Sequence, residues 1–190
     1  MVEKSSLHVL GIAGSLRKGS YNRAVLRAAT ALAPPGMRIE TFDLAPIPLY
    51  NEDVRQAGYP PAVADLRTRM ADADAVLIVT PEYNYSMPGV LKNVIDWASR
   101  PPDQPFNAKP VAIMGASPGR LGTARAQYHL RQSLLSLNAL VLNRPEVMIA
   151  GVNKLIDEEG RLTDETTVDF VRQLLAGLAE WTRKLGAPAA

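Results

Sequence analysis

The nine residues Gly14-Ser15-Leu16-Arg17-Lys18-Gly19-Ser20-Tyr21-Asn22 lie between an apolar run and the start of a helical pattern. Ser15, Ser20 and Asn22 bring side-chain donors, Arg17 brings a fixed positive charge, and the backbone through Leu16 brings N–H groups. The first N–H groups of a helix have no intrahelical acceptor and sit at the positive end of its dipole, so an anion is the natural guest. Together these groups suffice to saturate a phosphate monoester. An ordinary strand-to-helix turn with a serine cap and surface cations accounts for the same residues.

Two other phosphate loops share parts of this pattern. A P-loop requires G-x-x-x-x-G-K-[ST], and although Gly14 and Gly19 have the spacing, Ser20 stands where the lysine belongs. A dinucleotide fingerprint requires G-x-G-x-x-G, but Gly11 and Gly14 lie three apart with no G-x-G. Asp43, at the end of the second strand, therefore has little support as a ribose ligand. The many hydroxyls suit a terminal dianionic phosphate better than a bridging pyrophosphate.

Two further loops carry groups suited to a flat polar ring. Pro81-Glu82-Tyr83-Asn84-Tyr85-Ser86 supplies two aromatic faces and backbone hydrogen bonds. The same tyrosines would serve a subunit contact, with Ser86 capping the next helix. Glu82 has no evident carboxylate partner, so a paired acid–base mechanism is not indicated. Ser117-Pro118-Gly119-Arg120-Leu121-Gly122-Thr123 holds two glycines that admit a ligand close to the backbone, or simply make a flexible turn. His129 falls mid-helix, where packing or surface roles are commoner than catalysis. Arg125, Tyr128 and Glu146 could form a polar cluster at a subunit contact.

The whole chain sets limits on the chemistry. It has 190 residues, 47% apolar and 21% charged, which suits one domain with a sizeable core. A net charge of +2, from 21 basic and 19 acidic side chains, gives no argument for nucleic acid or an anionic membrane. There is no cysteine, which excludes disulfides, thiol catalysis and cysteine-ligated metal. With two histidines, His8 and His129, a histidine-built metal site is not expected. The N-terminal stretch does not read as a signal peptide, and no apolar run approaches the roughly 20 residues of a bilayer span. The expectation is a cytoplasmic protein without membrane insertion.

Strand-like and helix-like runs alternate along the chain. Strands are predicted at Leu7–Ala13, Met37–Phe42, Ala75–Thr80 and Val111–Gly115, with a fifth starting at Ala139–Leu142 and resuming near Val147–Ile149. Helical spacing marks Val25 to Leu32, Val63 to Met70, Val90 to Trp97 and Leu130 to Leu135. A last helix has Thr163 as its expected cap, Asp164 and Glu165 opposing its dipole and Gly186 as its expected stop. Residues 43–61 read as a proline-rich loop. Interleaving of this kind predicts a parallel sheet covered on both faces, with ligands outside the carboxyl ends of the strands. All three unusual loops fall at those ends.

The motifs "GSLRKGSYN", "TPEYNYSMPGVLKNVIDW" and "GASPGRLG" resemble the NADPH-dependent FMN reductase family, and within it the bacterial quinone and chromate reductase branch. The likeness runs from about residue 7 to about residue 150. It implies that residues 1–190 form a single flavodoxin-like domain, a three-layer α/β/α sandwich with a five-stranded parallel sheet, holding FMN without a covalent link. It places Ser15, Leu16, Arg17, Ser20 and Asn22 at the phosphate. Pro81, Glu82, Tyr83, Asn84 and Tyr85 would lie along the isoalloxazine ring, with Ser117 and Gly119 in the third loop beside it. It further implies hydride transfer from NADPH or NADH to the flavin, then transfer to a quinone, chromate, an azo compound or free flavin, in a homodimer or homotetramer. The flavin would perform the chemistry, so no catalytic side chain is assigned. An electron carrier of the flavodoxin type would hold FMN without a nicotinamide site, although such carriers are often strongly acidic. A non-enzymatic sensor of a phosphate ligand is a third class.

Overall fold

The structure, a computed structural model, describes residues 6–186. Strands β1 (Leu7–Ala13), β2 (Met37–Phe42), β3 (Ala75–Val79) and β4 (Pro110–Ser117) run parallel in the order β2-β1-β3-β4. The fifth strand position comes in two pieces, β5 (Leu140–Val141) and β6 (Val147–Ala150), both parallel to β4. β5 pairs with Pro110 and Val111, and β6 with Met114 through Ser117, so the chain leaves the ladder after the Leu142 N–H, which donates to the Val111 carbonyl at 2.8 Å, and returns to it at Val147. The expected interruption and resumption of this strand is therefore present.

Side-chain alternation along the strands builds two cores. Val9, Leu77, Val79, Ala112 and Met114 face α1 (Tyr21–Ala31) and α6 (Glu165–Gly186), which contribute Val25, Leu26, Val171, Leu175 and Leu178. Leu10, Ile12, Val76, Ile78, Val111 and Ile113 face the other way. They meet Leu66 and Met70 of α3 (Pro61–Asp72), Leu91 and Trp97 of α4 (Gly89–Ala98), and Leu130 and Leu134 of α5 (Ala124–Leu135). Strands buried on both faces require an unbroken apolar run, which is what AVLIV in β3 supplies. The result is the expected three-layer flavodoxin-like sandwich.

Two local expectations are corrected. Residues 52–57 form a short helix, α2 (Glu52–Ala57), started by Asn51, whose Oδ1 accepts the Asp53 N–H at 2.8 Å. It buries no residue, so no apolar periodicity reveals it. The last helix is capped by Asp164 rather than Thr163: Asp164 Oδ2 accepts from the Thr167 N–H at 2.8 Å and the Thr167 hydroxyl at 2.6 Å. Thr163 instead closes a loop onto the Leu155 carbonyl. Its expected stop, Gly186, is the last residue described.

Candidate functional site

Because every strand points the same way, the loops after β1, β3 and β4 emerge at one edge. The strand order reverses between β1 and β3, the place where open sheets of this order bind ligands. The loops are joined to one another there. Gly14 N–H donates to the Val79 carbonyl at 2.9 Å, and Thr80 N–H to the Met114 carbonyl at 2.9 Å. Gly115 lets two of them close up: a Cβ there would lie 2.2 Å from both the Thr80 carbonyl oxygen and Thr123 Oγ1.

The first loop is rich in unengaged donors. Ser15 and Ser20 are 5% and 6% exposed. Their hydroxyl oxygens accept long contacts of 3.4 Å from the Arg17 and Arg23 N–H groups. Among the described residues neither hydroxyl proton has a protein acceptor, nor do the N–H groups of Ser15, Leu16, Lys18 and Gly19. Ser20 is the N-cap of α1, so the N–H groups of Tyr21 and Asn22 also lack intrahelical partners. Leu16, Arg17 and Lys18 are exposed, and Arg17 reaches the Gly19 carbonyl while lying 5.4 Å above the Tyr21 ring. Buried hydroxyl protons without acceptors beside open N–H groups fit a multiply charged acceptor such as a phosphate.

Asn22 differs from the other groups predicted there. Its side chain is engaged on both ends, Nδ2 donating to the Ala116 carbonyl and Oδ1 accepting the Ala116 N–H, each at 2.9 Å. The amide ties the start of α1 to the end of β4. Any contact from Asn22 to a phosphate would come from its backbone N–H.

The second loop is a strained turn. Tyr83 and Ser86 exchange backbone hydrogen bonds of 2.9 and 3.0 Å. Between them Asn84 and Tyr85 have φ of +50° and +69°. Asparagine tolerates the left-handed region, whereas for tyrosine it costs roughly 1–2 kcal/mol. The turn presents Tyr83, Asn84 and Tyr85 to solvent, with Pro81 buried beneath. Ser86 does not cap α4, whose N-cap is Pro88 with no side-chain hydrogen bond; its hydroxyl meets His129 Nδ1 at 3.1 Å.

Glu82 has the partner that its isolation in the sequence concealed. Its side chain, 6% exposed, accepts Arg125 Nε at 2.6 Å and pairs with Arg125 Nη2. It also accepts the N–H groups of Arg125 and Ala126 at 3.1 and 3.2 Å. Thr123 makes no capping bond at the start of α5, so a carboxylate from the second loop does so instead. Arg125 also covers the Tyr85 ring at 3.7 Å. Among the described residues no hydrogen bond or ion pair joins Arg125, Tyr128 and Glu146: Tyr128 is exposed and Glu146 faces Arg144 at 3.8 Å. The third loop is simpler, with Ser117 Oγ accepting the Gly119 N–H at 3.0 Å. At the far side of the sheet edge, Asp43 pairs with Arg23 at 3.2 Å beside a cavity of about 280 Å³.

Residues 7–154 match the NADPH-dependent FMN reductase family. The chain belongs to that family. It is 59% identical over 179 residues to an NAD(P)H-dependent FMN reductase of Pseudomonas aeruginosa, covering 94% of this chain and 97% of the relative. It is 47% identical over 183 residues to a quinone reductase of Escherichia coli, with the same coverage. Among solved structures it resembles FerB, a flavoenzyme NAD(P)H:(acceptor) oxidoreductase from Paracoccus denitrificans, with a TM-score of 0.86 and 36% identity over 94% of this chain and 98% of that one. Family membership makes the protein an oxidoreductase that uses FMN and NAD(P)H. The flavodoxin-type carrier is thereby set aside. Among the described residues no helix is long and apolar enough to cross a membrane.

Proposed function

We propose that this protein transfers two electrons from NAD(P)H to quinones, with FMN held across the three loops at the carboxyl edge of the sheet. The observation that carries the placement is the pair of buried, acceptor-free hydroxyls in the first loop. The hydroxyls of Ser15 and Ser20 and the N–H groups of Ser15, Leu16, Lys18, Gly19, Tyr21 and Asn22 hold the phosphate, and Arg17 turns its guanidinium onto it. Pro81, Glu82, Tyr83, Asn84 and Tyr85 form the ledge for the ring, with Glu82 acting through its grip on α5. Ser117 and Gly119 bound the ring from the third loop.

Bound FMN supplies the hydride chemistry. The chain's own part is to fix one end by phosphate contacts, hold the ring between rigid turns and leave one face open. Tyr83 and Tyr85, half or more exposed, and Leu121 make an apolar rim suited to flat aromatic acceptors. Quinones are favoured because the Escherichia coli relative is named a quinone reductase. The same open rim would admit azo compounds, free flavin or chromate. We further propose a single domain over residues 1–190, acting as a homodimer or homotetramer, with the exposed Tyr128 and Leu135 on α5 as contact residues. We also propose a cytoplasmic location.

Anaerobic titration of the FMN-loaded protein with NADPH, then NADH, tests this reading. Bleaching of the flavin band, reversed by a stoichiometric quinone, is expected. A flavin band that both donors leave intact, or that quinone does not restore, would refute it.

A further inference from the structure

We propose that Arg125 is a positioning residue: it holds Tyr85 in a backbone conformation that tyrosine disfavours, and so fixes the turn against which the flavin ring lies. The inference rests on the placement of the ring beside the second loop. Four observations converge on it. Tyr85 is left-handed at φ +69° and follows a second left-handed residue, Asn84. Tyr85 is 67% exposed within its own chain, so burial inside the protomer does not hold it. The guanidinium lies 3.7 Å above that ring, within the range of a cation–π contact. The guanidinium is itself fixed, because its Nε and Nη2 are taken by a Glu82 carboxylate that is 6% exposed and further anchored on two N–H groups of α5.

The parts form a closed chain of contacts: the second loop caps α5 through Glu82, and α5 returns a cation to the second loop through Arg125. A left-handed non-glycine pair persists only where its surroundings over-determine it, and such pairs cluster at functional sites. Here the surroundings are the Glu82–Arg125 ion pair and the Arg125–Tyr85 ring contact on one side of the turn and the Ser86–His129 hydrogen bond on the other. Removing the cation releases the turn without touching the first loop, where the phosphate contacts are made.

The test uses R125M, which keeps an apolar stem for packing and drops the charge and the fork, with R125K and Y85G beside it. In flavin-free protein, amide exchange at Tyr83 and Ser86, the two N–H groups that close the turn, is read by NMR. R125M is expected to speed it about tenfold, and R125K to restore part of the protection. Glycine adopts positive φ freely, so exchange in Y85G/R125M should match that in Y85G alone. In the loaded enzyme R125M should lower kcat for quinone about tenfold, while FMN affinity changes less than about threefold because the phosphate contacts remain. Unchanged exchange in R125M overturns the positioning role and leaves the site as proposed. Faster exchange with unaltered kcat and KM means that the turn does not flank the ring, which overturns both.

Discussion

The first loop and the pair formed by the second and third loops emerge from the same sheet edge but use their polar groups in opposite ways. In the first, among the described residues, the hydroxyl protons of Ser15 and Ser20 and the N–H groups of Ser15, Leu16, Lys18 and Gly19 have no protein acceptor. In the second and third, Glu82, Arg125, Ser86, His129, Ser117 and Gly119 are bonded to one another. Open donors mark where a charged ligand end is gripped, since burying them unpaired is costly. Closed networks, on the placement proposed above, give the neutral ring a rigid ledge. Asn22 crosses this divide: it lies in the first loop's motif yet belongs to the closed class.

Replacing Asn22 should therefore give the largest change, and it tests that assignment. Asn22→Ala leaves the Ala116 N–H and carbonyl unpaired in the interior, at a cost of about 2–4 kcal/mol in urea unfolding of the flavin-free protein. A stable variant with lost FMN affinity would return Asn22 to the phosphate contacts. Next, Arg17→Ala should weaken FMN binding by roughly 1.5–3 kcal/mol with little change in stability, since the side chain is exposed. Fluorescence titration measures it, and unchanged affinity would remove Arg17 from the site. On the closed side, Tyr83→Leu and Tyr85→Leu should shift the visible flavin band or the rate of acceptor reduction while FMN affinity falls by less than about 1 kcal/mol. No effect from either would favour a subunit-packing role.

The smallest effect lies outside both regions. The Thr167 hydroxyl and N–H hold the Asp164 carboxyl below the usual aspartate range. A depressed folded-state pKa gives stability that is present above the ordinary aspartate value of about 4 and lost as pH falls through the folded value. Asp164→Asn should remove that acid-side loss from the thermal unfolding profile and leave FMN binding unchanged.

Much of this was legible in the sequence because it rests on local patterns. The apolar runs gave all strand positions, including the interrupted fifth, and glycine, serine and proline marked the three loops. What the sequence concealed joins distant residues. Glu82 and Arg125 lie 43 positions apart, and Asn22 and Ala116 lie 94 apart; no spacing rule pairs them. Glu82 caps α5 from another loop, where the local candidate Thr123 makes no capping bond. Asp164 displaced Thr163 because both are good caps and the tertiary path chose between them. Helix α2 escaped notice because it has no buried face.

Comparing FMN with riboflavin tests the central claim most directly, since the two differ only by the phosphate. The wild-type protein should bind FMN at least about 100-fold more tightly than riboflavin, and Ser15→Ala/Arg17→Ala should bring the two affinities within about tenfold. Equal affinities in the wild type, or a preference that survives the double substitution, would contradict a phosphate grip by this turn.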